Sequence, residues 1–308
     1  MGSLGKIFLR KFLWLGILFL PSLLPAAEIT PFYTQNQSPL VRVFGLPSIG
    51  EARILAPGKA DARLIVDYAS NYAEDSNPRE KILLDGESAA ITLDARYGFF
   101  KKFEIGAAIP YVIEGGGFLD SFIISYHNFF GFPQGGRDQA PKNRLLYQYQ
   151  RDQQVRLKVD HSSNGLGDIQ IKGGFQLYQN PEKPSQALAL RASLKLPSGN
   201  SGQLHGSGST DLSLWLTAGG EYSVAIGRFA LFGAAGIMAL TKGDVLPDQQ
   251  RNWVGFGSLG GGWSPLRWLA FKIQANGHTP FYKGSELREL NASSVPVRVR
   301  VDTFSDTR

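Results

Sequence analysis

The chain has no cysteine among its 308 residues. That excludes a disulfide framework, a thiolate metal site and a lipid anchor carried on a cysteine. Long apolar runs are also missing. No segment beyond the N-terminal stretch reaches the roughly 18 uninterrupted apolar residues that a membrane-spanning helix needs. Histidine is scarce: His127, His161, His205 and His278 are the four, and none has metal-ligand spacing. Gly115-Gly116-Gly117 lacks the Lys-Ser/Thr of a phosphate loop. Neither a metal nor a cofactor is expected. Net charge is small as well. The formal value is +6, and Lys6, Arg10 and Lys11 account for half of it, leaving about +3 for the rest of the chain. With no interleaving of basic and aromatic residues, nucleic acid is not an expected partner.

The first 27 residues have the form of a signal peptide. Lys6, Arg10 and Lys11 supply a basic region, and Phe12 to Leu20 a short apolar core that Pro21 ends. Leu24-Pro25-Ala26-Ala27 offers a small-residue cleavage site. Residues 28–60 are Pro-rich and irregular, and read as a periplasmic lead-in able to tuck into the mouth of a barrel.

Beyond residue 60 the dominant signal is alternation at period two, the mark of strands with one apolar and one polar face. In 169–178, Ile169, Ile171, Phe175 and Leu177 oppose Gln170, Lys172 and Gln176. The same pattern recurs in 62–69, 86–98, 102–111, 187–196, 211–226, 229–240, 252–263 and 268–277. Val297, Val299 and Val301 alternate with Arg298 and Arg300 in a further candidate strand. Connections at 100–102, 227–228 and 265–267 are tight, whereas 74–85, 114–165, 197–208, 241–251 and 279–290 are long and polar. Short turns at one end, long loops at the other and a secretory start predict an all-β, antiparallel transmembrane β-barrel of about 10–12 strands over 61–308, in the bacterial outer membrane. A soluble β-sandwich is the alternative, and it accounts poorly for the loop asymmetry. Such a barrel would meet outer-membrane lipids and lipopolysaccharide and be inserted by the barrel-assembly machinery. Its oligomeric state is open.

The insertion 114–165 carries Leu119, Phe122, Ile123, Tyr126, Phe129 and Phe130 at helical spacing, which predicts a helix over 119–130 stopped by Gly131 and Pro133. It either packs on the base of the loop or lies at the lipid interface; packing is the expectation. A protruding hairpin is expected over 145–159.

Two kinds of chemistry stand out. Asp160, His161 and Ser163 lie close in sequence and offer the residue types of acyl transfer, so a lipid hydrolase or acyltransferase on the barrel wall is an alternative function. The stronger candidates are charges that parity turns inward: Arg63, Asp67, Asp94, Arg96, Glu104, Lys172, Arg191, Lys195 and Lys272. They would line a mixed-charge lumen, and the expected function is non-enzymatic, the passive transport or binding of a small solute. A plugged barrel whose charges merely pair, and a structural or surface-interaction role for 114–165, stay open beside it.

Three motifs carry a resemblance. Pro31-Phe32-Tyr33-Thr34-Gln35-Asn36-Gln37-Ser38-Pro39-Leu40 with Phe44-Gly45-Leu46-Pro47, Gly131-Phe132-Pro133-Gln134-Gly135-Gly136-Arg137, and Ser163-Asn164-Gly165-Leu166-Gly167-Asp168 together resemble domain-of-unknown-function family 3187 of Gram-negative bacteria. The likeness runs from about residue 30 to about 295. It implies an outer-membrane barrel and no catalytic residues. Gly165-Leu166-Gly167-Asp168 taken with Lys195-Leu196-Pro197-Ser198-Gly199 is also similar to outer-membrane proteins associated with phenol degradation, which implies a channel for aromatic compounds. The resemblance also implies two more strands and a terminal aromatic residue. This chain ends Phe304-Ser305-Asp306-Thr307-Arg308, and a truncation or frameshift near Ser294 is the expectation.

Overall fold

The alternating segments all become strands in the computed structural model, which describes residues 29–182, 185–291 and 297–302. The signal peptide expected over 1–27 and the truncation expected near Ser294 lie outside the described residues. The strands are β1 (Ala60–Ser76), β2 (Glu80–Phe100), β3 (Phe103–Gly115), β4 (Leu146–Arg151), β5 (Gln154–Val159), β6 (Ser163–Leu166), β7 (Gln170–Asn180), β8 (Ser185–Lys195), β9 (Asp211–Val224), β10 (Gly227–Leu240), β11 (Trp253–Leu266), β12 (Leu269–His278) and β13 (Val297–Asp302). They form one antiparallel sheet in the order β13-β12-β11-β10-β9-β8-β7-β3-β2, with β1 on the far side of β2. This is a ten-strand meander. β4, β5 and β6 are short additions: β4 replaces β3 beside β2 above Glu87, and β6 extends the path of β7 along β3. Among the described residues β1 pairs only with β2 and β13 only with β12, so the sheet does not close.

One expected loop is not a loop. The stretch 74–85 reads as a polar connection, yet β1 and β2 stay paired through it, from Ala60↔Tyr97 to Ser76↔Lys81, and only 77–79 turn. Its outer positions Glu74 and Lys81 face water, which hid the strand, while Ile82 and Leu84 are buried against β4.

The sheet has two unlike faces. Leu64, Val66, Leu93, Ile105, Leu231, Ile237, Leu259 and Ile273 stand exposed on one, and Leu259 in mid-strand is 72% exposed. A soluble monomer seldom leaves so continuous an apolar surface in water. Aromatic residues bound it. Tyr97, Phe99, Phe100, Phe103, Trp263 and Trp268 lie near the short turns, and Tyr68, Tyr111 and Trp253 near the long loops. From Phe103 to Tyr111 along β3 is roughly 27 Å at the usual strand rise of about 3.4 Å.

The other face is polar and is covered by the chain's own residues 29–59, here called the strap. Ile29 approaches Gly262 near the short turns. Phe32 N donates to Gln274, and Asn36 meets His278 near the loops. The strap turns there through a single helical turn, α1 (Pro39–Arg42), and descends past Asp211, Trp215, Gln176 and Glu104 to reach Gly98 and enter β1. Neighbouring residues Phe32 and Tyr33 bond β12 and β2, near opposite ends of the sheet, so the sheet is rolled around the strap. At the loop end a core of Leu40, Val43, Phe44, Ile82, Tyr147, Tyr149, Leu246, Phe281 and Tyr282 seals the top, with the rings of Phe44 and Phe281 stacked at 4.7 Å.

Two glycines permit this close approach. Gly50 turns the descending leg at φ +69°, where a Cβ would also crowd the Arg191 side chain at 3.1 Å. At Gly98, Gly58 N donates to its carbonyl, and an added Cβ would lie 2.1 Å from the Ala56 oxygen. Gly98→Ala is therefore expected to displace the strap's last turn and lower stability by about 1–3 kcal/mol. An unchanged urea midpoint would mean that the strap is not held there.

Candidate functional site

The charged positions of the polar face do not line an open path. Six of the nine that parity turns inward, Arg63, Asp94, Arg96, Glu104, Lys172 and Arg191, surround one cavity of about 50 Å³ between strap and sheet. That volume holds a few water molecules. Strap residues Phe32, Tyr33, Ser48 and Glu51 form its other wall.

Each charge reaches the cavity from a strand of fixed parity, and each has a partner. Arg191 on β8 donates from Nε (3.0 Å) and Nη2 (2.6 Å) to the carbonyl of Glu51, and from Nη1 to Glu104 at 2.5 Å. Glu104 on β3 also accepts from the strap amide of Leu55 at 2.9 Å. Lys172 on β7 pairs with Asp94 on β2, and the Tyr33 hydroxyl donates to the same carboxylate at 2.8 Å. Arg96 meets Asp61 at 2.7 Å, and Arg63 bridges Asp61 at 2.9 Å and Glu51 at 3.1 Å. Four cations therefore face four carboxylates, Glu51, Asp61, Asp94 and Glu104. Burying them unpaired would be prohibitive, and pairing makes the cluster tolerable. It clamps the strap through backbone groups at 51 and 55 and through Tyr33.

The other three positions lie elsewhere. Lys272 Nζ sits 5.1 Å over the Phe32 ring, a cation–π contact with the strap. Asp67 on β1 interacts electrostatically with Tyr33. Lys195, 1% exposed, heads a separate cluster: its Nζ lies 2.5 Å from Asp168 and 3.2 Å from Asp211, and donates to Ser207 at 2.5 Å. Asp211 accepts from Gly45 N of the strap at 2.9 Å. This cluster explains two of the sequence motifs. Asp168 also accepts from Gly199 N, while Ser198 Oγ donates to the Gly167 carbonyl and accepts from Ile169 N, so the Gly-Leu-Gly-Asp and Lys-Leu-Pro-Ser-Gly segments form one hydrogen-bonded corner.

The catalytic set weighed from sequence is not assembled. His161 is exposed and, among the described residues, bonds only its neighbour Asp160, at 3.4 Å, and no hydrogen bond joins it to Ser163. Ser163 Oγ instead lies 3.1 Å from Nε2 of His205, 42 residues away. Burial and the nearby Arg42 guanidinium lower the basicity of His205, which keeps it neutral at pH 7. No carboxylate bonds its ring among the described residues, so the Ser–His contact lacks the third group that orients a catalytic base.

Sequence parity located the sheet's charges but missed their strap partners. Glu51 and Tyr33 sit in a segment without periodicity, and only its wealth of polar and aromatic residues could have flagged it. No helix among the described residues is long and apolar enough to cross a membrane, a statement that leaves strands aside. A model of the family described as "Protein of unknown function (DUF3187)" matches residues 12–299. No curated protein matches the chain.

Proposed function

The chain belongs to the DUF3187 family, and we propose that it is an outer-membrane β-barrel, without enzymatic activity, that passes or binds a small polar solute once its strap moves. One observation carries this: a rolled antiparallel sheet with a continuous exposed apolar band outside and a polar interior filled by the chain's own N-terminal segment. Lipid outside makes sense of the band: at the usual strand tilt of about 35–45° its length along β3 projects to about 19–22 Å, on the scale of the roughly 25 Å apolar zone of such barrels. The interior charges are balanced and mutually bonded, so a solute of either sign gains a site only by replacing a strap group, Glu51 against Arg191 or Tyr33 against Lys172. Passage is thereby coupled to displacement of the strap.

The absence of cysteine gives a clean test. Ala52 on the strap and Gly219 on β9 face each other, with the Ala52 Cβ 3.5 Å from the position a Cβ would take at Gly219, which is within disulfide range. In the Ala52→Cys, Gly219→Cys protein, oxidation locks the strap and reduction frees it. Flux of small charged solutes into proteoliposomes is expected to fall at least about tenfold on oxidation and to return with reductant. Equal flux in both states would sink gating by the strap. No flux in either state, from folded protein, would sink transport.

A further inference from the structure

We propose that the helix α2 (Asp120–Phe130) and the turn after it form an anchor lying in the headgroup–acyl boundary of the bilayer, on the loop side. The packing expected of this helix is not what holds it. Its single buried residue is Asp120. The aromatic side chains point away from the protein: Phe129 is 81% exposed, and Phe118, Phe122, Tyr126, Phe130 and Phe132 are exposed as well. They form a patch of their own, with Tyr126 and Phe130 ring centroids 4.7 Å apart and Phe130 and Phe132 5.8 Å apart. From Ser121 to Gly136 there is no Asp, Glu, Lys or Arg.

The patch is held at a defined height. Asp120 accepts from Arg137 at 2.6 Å and from Asn143 N at 2.7 Å, and Glu87 accepts from Leu119 N at 2.6 Å. The segment is tied to the outer face of β1. The rings of Phe118 and Tyr68 are 5.8 Å apart, Arg137 donates to Ser70 Oγ at 2.8 Å, and Tyr72 donates to the Gly136 carbonyl at 3.1 Å. Tyr68, Ser70 and Tyr72 continue the parity of Leu64 and Val66, so the aromatic patch starts where the apolar band stops, on the same side of the sheet. Exposed Phe and Tyr rings interspersed with Ser, Asn and His, with no full charge to desolvate and an apolar band alongside, suit the membrane interface, where aromatic rings collect. Lipid is thus the occupant. The proposal rests on the membrane placement proposed for the sheet and adds the helix to the lipid-contacting surface.

Single cysteines at Phe129, Leu259 and Val155 (Phe129→Cys, Leu259→Cys, Val155→Cys) can carry an environment-sensitive nitrobenzoxadiazole label in the full chain, reconstituted in phosphatidylcholine vesicles with nitroxide-labelled lipids. Val155, at the exposed end of the β4–β5 hairpin, reports water. At Phe129 shallow nitroxides are expected to quench at least about twofold, at Leu259 deep ones, and at Val155 neither. Quenching at Leu259 with Phe129 behaving like Val155 would overturn the anchor and leave the barrel intact. A Phe129 label shielded from both nitroxide lipid and aqueous iodide would also overturn it, since a second protein copy would then cover the patch. No quenching at either position would overturn the membrane placement itself, and the anchor with it.

Discussion

Lys195→Met is expected to destabilise the protein by about 3–5 kcal/mol, the range for breaking a buried ion pair from one side. Methionine keeps most of the side chain's volume, so packing is nearly preserved. What it removes is the cation that, among the described residues, pairs with both Asp168 and Asp211, at 2.5 and 3.2 Å, in a site where the lysine is 1% exposed. Both carboxylates are then buried without a counter-charge, and Ser207 Oγ and the Val43 carbonyl lose a donor. Urea unfolding in vesicles measures the loss. Adding Asp168→Asn and Asp211→Asn to the same protein should recover much of it, because the uncompensated charges go with them. A loss below about 1 kcal/mol would mean that water reaches the two aspartates, and that the corner formed by the two motifs is not sealed.

Leu259→Arg is the second large effect, and the one that separates membrane from water. If the exposed face of β11 lies in lipid, an arginine at mid-strand costs about 2–4 kcal/mol. If that face is in water, a substitution at a position 72% exposed falls within about 0.5 kcal/mol of neutral. The same change at Val155 should be neutral in either case. Equal, negligible effects at both sites would count against a membrane position for the sheet.

How legible the molecule was in its sequence depends on which forces act at short range. Period-two alternation is local, so Leu188, Leu190 and Leu194 against Arg191 and Lys195 fixed both the strand and its faces. The observed β8 keeps that parity from end to end, with Arg191 and Lys195 buried and Leu194 exposed. The hairpin at 74–85 reads as a loop because its outer positions and its turn are polar, and its buried Ile82 and Leu84 find their apolar partners far away in sequence, in the loop-end core. The helix at 119–130 was legible as a helix, but its periodicity did not say which way the aromatics point. Their direction depends on Asp120 and Glu87, which grip its first turn. Least legible was the candidate site. Parity marked Arg191 and Glu104 as inward, yet what they bind is the strap's backbone at residues 51 and 55. Backbone groups leave no trace in composition. Likewise the Ser163–His205 contact joins β6 to a loop 42 residues away, where sequence proximity favours His161.

The strap's route also constrains the order in which the molecule can assemble. It is made before any strand, yet its ascending leg bonds positions 242 residues later: Phe32 with Gln274, Asn36 with His278, Leu40 with Tyr282. The hairpins β2–β3, β9–β10 and β11–β12 close over a few residues and cost little loop entropy, whereas the strap's contacts with Gln274, His278 and Tyr282 must wait for nearly the whole chain. While the early hairpins form, the strap can meet β2 and β3 through Leu55, Gly58 and Tyr33, but its contacts with β12 and the loop after it are still missing. Its locking is a late event, made by rolling β12 toward β2 around a segment already in place rather than by threading that segment into a finished cylinder.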